Sequence, residues 1–347
     1  MNISNSWKRI CFKNQPNFLQ VSLRFLNKNR GIGEWGRLNG SPTSGRARGH
    51  RPYSLLCAGL TVLLLSPITA LPLTAEAIAQ SLPSLKPTQP LAAEQLNQGL
   101  ALIQQNKLPE AIAAFRRASE FNPQLAPAHY NLGLALRQTG QLQASANAFY
   151  KATQADPEFA LAFANLGAAL LEGNNLQQAQ DYLVRALELD PNMGVAHYNY
   201  GLVLSQLGDQ DKAIAQFKSA LQLSRNAPEP AYHMGMIYLQ RGKTEEAKKA
   251  FQQAIKINPQ YSEAHYNIGS ILFKQGDLDA ALEAFRKSAQ SNSNYANAYY
   301  GAGLVFLRQN RYSDAQQVLK YAKDLFTSQG NPQWAQNAQQ LLERSRI

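Results

Sequence analysis

Starting at Gly99 and moving in strides of 34 residues, the chain places glycine at every stop: Gly133, Gly167, Gly201, Gly235, Gly269 and Gly303. With 22 glycines among 347 residues, six further matches by chance have a probability on the order of 10⁻⁷, so the period is structural. The words around these glycines repeat too. AHYNLGLAL at 128–136 returns as AHYNYGLVL at 196–204 and AHYNIGSIL at 264–272, with AFANLGAAL at 162–170 and PAYHMGMIY at 230–238 between them. Seven units fill 92–329 without insertion or deletion: 92–125, 126–159, 160–193, 194–227, 228–261, 262–295 and 296–329.

Numbering each unit from 1 puts the recurrent glycine at position 8. Position 20 is Ala111, Ser145, Ala179, Ala213, Ala247, Ala281 and Ala315; position 24 is Phe115, Phe149, Leu183, Phe217, Phe251, Phe285 and Leu319; position 27 is Ala118, Ala152, Ala186, Ala220, Ala254, Ser288 and Ala322. Spacings of four and three lay these three positions on one face of a second helix. Glycine inside a helix costs about 1 kcal/mol relative to alanine. Its retention therefore implies a close approach of two helices, with the glycine set against the small residues and the large one filling the adjacent gap. The pairs Asn122-Pro123, Asp156-Pro157, Asp190-Pro191 and Asn258-Pro259 close the second helices, because proline disfavours helix at the residue before it. Gly140, Gly208, Gly242 and Gly276 mark the turns within units. Each unit thus reads as a helix of about 13 residues, a turn, and a second helix of similar length.

A 34-residue length with Gly, Ala, aromatic, Ala and Pro in this order resembles the tetratricopeptide repeat. The resemblance covers 92–329 and departs where Arg225 and Ser293 replace the expected proline and where the seventh unit degenerates after Ala322. It implies an all-α fold, an α-solenoid in which seven helix-turn-helix units wind into a right-handed superhelix. Residues 330–347 read as a capping helix starting at Asn331 and Pro332, with Trp334, Ala338, Leu341 and Leu342 on one face.

At 100° per residue, positions 4, 7, 8 and 11 of the first helix share one face and positions 2, 5, 6, 9 and 13 the opposite one. The resemblance implies that the second set lines the concave wall of the superhelix. Position 5 is Tyr130, Tyr198, Tyr232, Tyr266 and Tyr300, with Leu96 and Ala164 completing the series; position 6 is Asn97, Asn131, Asn165, Asn199 and Asn267, interrupted by His233 and Gly301. An asparagine amide carries a donor and an acceptor, matching the peptide unit of an extended chain. Tyrosine supplies amphipathic contact area. Such an asparagine ladder is similar to the one in the repeat arm of the O-linked N-acetylglucosamine transferase. The alternative reading is that both residue types support neighbouring repeats, and the asparagines are the better ligand candidates. Charges on this wall are mixed: Arg137, Glu172, Lys274 and Arg308. A clamp for an acidic C-terminus needs basic residues at positions 2, 5 and 6; position 2 is Ala93, Pro127, Leu161, Val195, Glu229, Glu263 and Asn297, so that clamp is not expected.

No catalytic motif stands out, and no catalytic residue, metal ligand or cofactor is expected. His129, His197 and His265 fall at position 4, on the packing face, two repeats apart and unable to converge on a metal. His233, at position 6, could touch a ligand. Both cysteines, Cys11 and Cys57, precede the repeats. The formal net charge of +11 is concentrated in residues 1–53, which hold ten Lys or Arg against Glu34 alone. From residue 92 onward 23 basic residues meet 21 acidic ones, too close to neutrality for a phosphate-backbone surface.

Residues 1–53 read as a basic disordered leader, and either an early start codon or a bipartite targeting leader accounts for their length. Residues 54–79 carry a short apolar stretch and then Ala77-x-Ala79, the order of a secretory signal or, if uncleaved, of a membrane anchor. Residues 80–91 read as a linker. The functional expectation is an exported, non-enzymatic scaffold or adaptor that binds a partner polypeptide in the concave groove, with no small-molecule substrate and no nucleic acid. A membrane-tethered scaffold held through 54–75 and an RNA-binding helical repeat are the alternatives.

Overall fold

The computed structural model describes residues 88–345, so the leader, its apolar stretch and most of the linker lie outside the described residues. The described residues form fifteen α-helices and no strand, in two compact units that divide between Gly173 and Asn174, inside the third repeat. The N-terminal unit holds α1 (Thr88–Gln104), α2 (Leu108–Phe121), α3 (Ala126–Gln138), α4 (Leu142–Ala155) and α5 (Ala160–Glu172). The C-terminal unit holds α6 (Leu176–Leu189), α7 (Gly194–Gln206), α8 (Gln210–Leu223), α9 (Glu229–Gln240), α10 (Thr244–Ile257), α11 (Ser262–Gln275), α12 (Leu278–Ser291), α13 (Ala296–Arg308), α14 (Tyr312–Ser328) and α15 (Pro332–Arg344). The fold is an all-α helical repeat solenoid. Helix α1 begins at Thr88, four residues inside the expected linker. Pro90 does not prevent this, since the first-turn N–H groups of a helix need no intrahelical partner.

What the recurrent glycine faces differs from expectation. A Cβ built on Gly133 would lie 2.6 Å from the ring of Phe149, and the same holds for Gly201 against Phe217 at 2.6 Å, Gly235 against Phe251 at 2.6 Å and Gly269 against Phe285 at 2.8 Å. Gly303 meets Leu319 in the same way, at 2.5 Å. The large residue at position 24, rather than the small ones around it, occupies the space of the missing side chain. The small residues at 20 and 27 bring the second helix near enough for the ring to seat. Where serine replaces alanine, its hydroxyl reaches a first-helix carbonyl: Ser145 Oγ donates to Gly133 O at 2.7 Å and Ser288 Oγ to Ser262 O at 2.8 Å. Phe115, Phe149, Phe217 and Phe251 are fully buried as a result.

Two backbone devices set the boundaries. Position 15 has positive φ in all seven units, at Gly140, Gly208, Gly242 and Gly276 and also at Asn106, Asn174 and Asn310. Asparagine is the non-glycine residue that tolerates this region best, which is why it substitutes there. The next N–H then returns to a carbonyl five residues back, as in Gln141 N to Leu136 O at 2.9 Å and Arg311 N to Phe306 O at 2.8 Å, closing the first helix. At the end of the second helix the residue before proline is extended, with Asn122 at φ −139° and ψ 95°. Its carboxamide accepts from Gln124 N at 3.0 Å. Asn292 keeps both features without a following proline, accepting from Asn294 N at 3.0 Å, so Ser293 is tolerated.

Gly201→Ala should destabilise the protein although alanine favours helix, because the added methyl meets the Phe217 ring. The expected loss is about 1–3 kcal/mol in urea unfolding, and Phe217→Leu should recover part of it in the double variant. Equal stability of Gly201→Ala and the parent would disprove this contact.

Candidate partner-binding face

In the N-terminal unit, helices α3 and α5 present the candidate side chains. The Tyr130 ring lies 5.7 Å from Phe149 and 4.9 Å from Phe159, the residue just before α5. Its hydroxyl accepts from Asn165 Nδ2 at 3.3 Å. The same amide donates to Leu161 O at 2.9 Å, while Asn131 Nδ2 donates to Pro127 O at 2.8 Å. Both asparagines therefore direct donors at their own helix or the previous repeat. Arg137 pairs with Glu172 one repeat on, so neither charge is unpaired. Asn97, on α1, is exposed, and Leu134 and Leu161 leave apolar surface on the same helical stripe.

The C-terminal unit repeats this pattern on α7, α9, α11 and α13. Tyr198, Tyr232 and Tyr266 each sit against the core phenylalanine of their own repeat, with ring centroids 5.9, 5.7 and 5.7 Å from Phe217, Phe251 and Phe285. Tyr300 packs instead on Phe326 and Trp334, at 6.2 and 5.5 Å. A second aromatic row precedes the first helices: Tyr261 lies 5.3 Å from Tyr232 and Tyr295 lies 5.6 Å from Tyr266. Burial pushes the Tyr198, Tyr232, Tyr261 and Tyr295 phenols well up, and the Glu229 or Glu263 charge adds to the shift in each. Asn267 Nδ2 donates to Glu263 O at 2.9 Å, and its side chain also hydrogen-bonds Tyr232. Asn199 is half-buried. Arg308 does not reach freely into solvent: its guanidinium donates to Phe273 O at 3.1 Å and lies 5.5 Å over the Phe273 ring. Lys274 is exposed.

The histidines divide into two groups. His129, His197 and His265 each donate Nε2–H to a proline carbonyl of the preceding repeat: Pro123 at 3.0 Å, Pro191 at 3.0 Å and Pro259 at 2.9 Å. They are inter-repeat ties, in keeping with their place on the packing face. His233 was a possible ligand contact. It is instead stacked 5.7 Å from Phe217 at an interplanar angle of 23°, with Tyr198 and Tyr232 at 5.8 and 5.4 Å. Burial among these rings pushes its pKa from 6.5 down to about 4. Among the described residues, no cluster of three metal-ligating side chains occurs and no helix is long and apolar enough to cross a membrane.

The tyrosines and asparagines thus do two jobs, tying repeats together while leaving ring and amide groups on the first-helix face of each repeat. The position-34 aromatics Phe159, Tyr261 and Tyr295 escaped the sequence reading. Their recurrence at Tyr261 and Tyr295, one period apart, was the available signal.

Family profiles of the tetratricopeptide repeat match residues 99–140, 126–159 and 160–193, and the profile of the cilia and flagella-associated protein 70 C-terminal domain matches 194–329. The chain is a tetratricopeptide repeat protein. Tetratricopeptide repeats bind protein or peptide partners, and the fold is that of an interaction scaffold. Among solved structures, a tetratricopeptide repeat protein from Parabacteroides merdae is 19% identical over 74% of this chain and 99% of its own, with a TM-score of 0.55. The pilF protein of Pseudomonas aeruginosa is 21% identical over 61% of this chain and 97% of its own, with a TM-score of 0.53. These two likenesses are of fold. No curated protein sequence matches the chain.

The lowered His233 pKa fixes the sign of a pH effect on this tetratricopeptide array. Above pH 6.5 the imidazole is neutral both folded and unfolded, and the contribution is zero. As pH falls from 6.5 toward about 4, the unfolded state takes up the proton first and stability drops by up to about 3 kcal/mol. His233→Phe should keep the stack and flatten this part of the profile. Urea midpoints measured from pH 7.5 to 4.5 for both proteins check it, and parallel curves would contradict a neutral imidazole held half-buried among the rings.

Proposed function

We propose that the protein is a non-catalytic scaffold that captures an extended polypeptide along the first-helix face carrying positions 2, 5, 6, 9 and 13. One observation carries this reading. The face is built of rings that the core already holds in place, so it offers pre-ordered aromatic area and costs little entropy on binding. Tyr130, Tyr198, Tyr232 and Tyr266 all have a buried phenylalanine behind them. Asn131, Asn165 and Asn267 each spend a donor on their own helix backbone, and the amide oxygen of each is an acceptor suited to the backbone N–H groups of a guest strand.

An exported or membrane-tethered setting rests on the order of basic segment, apolar stretch and small-x-small in residues 1–79. In that setting the protein serves as an assembly or adaptor factor outside the cytoplasm. The near-neutral balance of charge from residue 92 onward favours a polypeptide over RNA as the partner.

A photo-crosslinking residue at Asn199, on the proposed face, should yield a covalent adduct with a partner in cells. The same residue at Lys218, exposed on α8, should yield none. Adducts from Lys218 alone, or from neither site, would overturn the reading.

A further inference from the structure

The proposed face is not chemically uniform, and its C-terminal half carries an unmatched charge. In repeats four to seven, positions 2, 5, 6 and 9 hold no Lys or Arg, while position 2 is Glu229 on α9 and Glu263 on α11. Among the described residues neither carboxylate forms an ion pair. Glu263 accepts only from the neighbouring Ser262 hydroxyl, at 2.9 Å. The nearest cations on the same stripe, Lys274 and Arg308, sit at position 13, roughly 16 Å farther along a helix axis, and Arg308 is engaged by Phe273.

Around these two carboxylates stand five phenols. The Tyr232–Tyr261 and Tyr266–Tyr295 pairs have ring centroids 5.3 and 5.6 Å apart. Both glutamates act electrostatically on the Tyr261 phenol; Glu229 also acts on Tyr198, and Glu263 on Tyr232 and Tyr295. Glu229 and Tyr232 stand three residues apart on α9, as do Glu263 and Tyr266 on α11, so each carboxylate shares a helical stripe with its ring. Aromatic faces carry negative potential at their centres and attract cations. Unpaired carboxylates beside them add to the same field.

We propose that this aromatic and carboxylate wall selects an arginine-bearing extended segment of the partner, one guanidinium lying against the Tyr232, Tyr261, Tyr266 and Tyr295 rings and forking onto Glu229 or Glu263. Arginine fits better than lysine because its planar group stacks on rings and bonds a carboxylate in two places. The inference rests on the groove reading above and adds the chemistry of the guest. A first-turn glutamate also suits the dipole of its own helix, so the test must read something that this role leaves unmoved.

Random dodecapeptides displayed on phage are selected against the full-length protein and against its Glu229→Gln/Glu263→Gln variant. In the pool selected by the parent protein, Arg should be enriched about threefold or more over Asp and Glu, in line with a single cation–π and carboxylate contact. The variant should still select peptides but lose the basic preference. Residues 1–53, with ten Lys or Arg, would draw acidic peptides to both proteins alike, so the difference between pools reports the wall. Pools without basic enrichment, or with the same enrichment in the variant, would overturn the inference. If such uncharged pools still compete with the Asn199 adduct, the groove reading stands alone; if no peptide is selected at all, both fall.

Discussion

In each repeat where position 24 is phenylalanine and its contacts are described, the ring lies where the side chain of the position-8 residue would otherwise be. The first helix has a notch because glycine has no Cβ, and the second helix drops a ring into it. The alanines at positions 20 and 27 bring the two backbones together, and the ring keeps the interface free of a void. Where position 5 is Tyr130, Tyr198, Tyr232 or Tyr266, the tyrosine ring lies tilted against the same phenylalanine. Core and partner face thus share one aromatic cluster, which is why a residue that looks exposed on a single helix is already fixed in place.

That coupling explains why the candidate residues are neither purely structural nor purely free. Tyr130 uses its hydroxyl to accept from Asn165 of the next repeat, and Arg137 uses its charge on Glu172. A repeat array needs such ties because each repeat contacts only its neighbours. After the ties are made, the groups on the face include amide oxygens, tyrosine rings and, in the fifth and sixth repeats, two carboxylates. A face of acceptors favours a guest that brings donors, whether backbone N–H groups or a guanidinium.

Most of the fold could be read from the sequence because its determinants are periodic. The glycine, the two small residues, the ring and the proline each recur at 34, and the helices fall where those residues place them. Three features did not show. Asn106, Asn174 and Asn310 do the work of the turn glycines, a substitution visible only when left-handed backbone rather than glycine is sought. The identity of the glycine's neighbour was missed because spacing along one helix gives the face but not which atom of that face arrives first. The fate of the face residues was hidden for a related reason. A helical projection treats each repeat alone, whereas the partners of Asn165, Arg137, His233 and Arg308 lie in the adjoining repeat.

The notch changes character at α15. Helix α15 follows the seventh repeat in register: Trp334 falls at position 5, and its ring stacks on Phe326 of that repeat at 5.8 Å. Ala338 and Leu342 are buried beneath it. At position 8, however, stands Asn337 rather than glycine. A side chain there fills the place that, in the repeats, glycine leaves open for the ring of the same repeat's second helix. The remaining surface is glutamine-rich, at Gln333, Gln336 and Gln340, which suits contact with water.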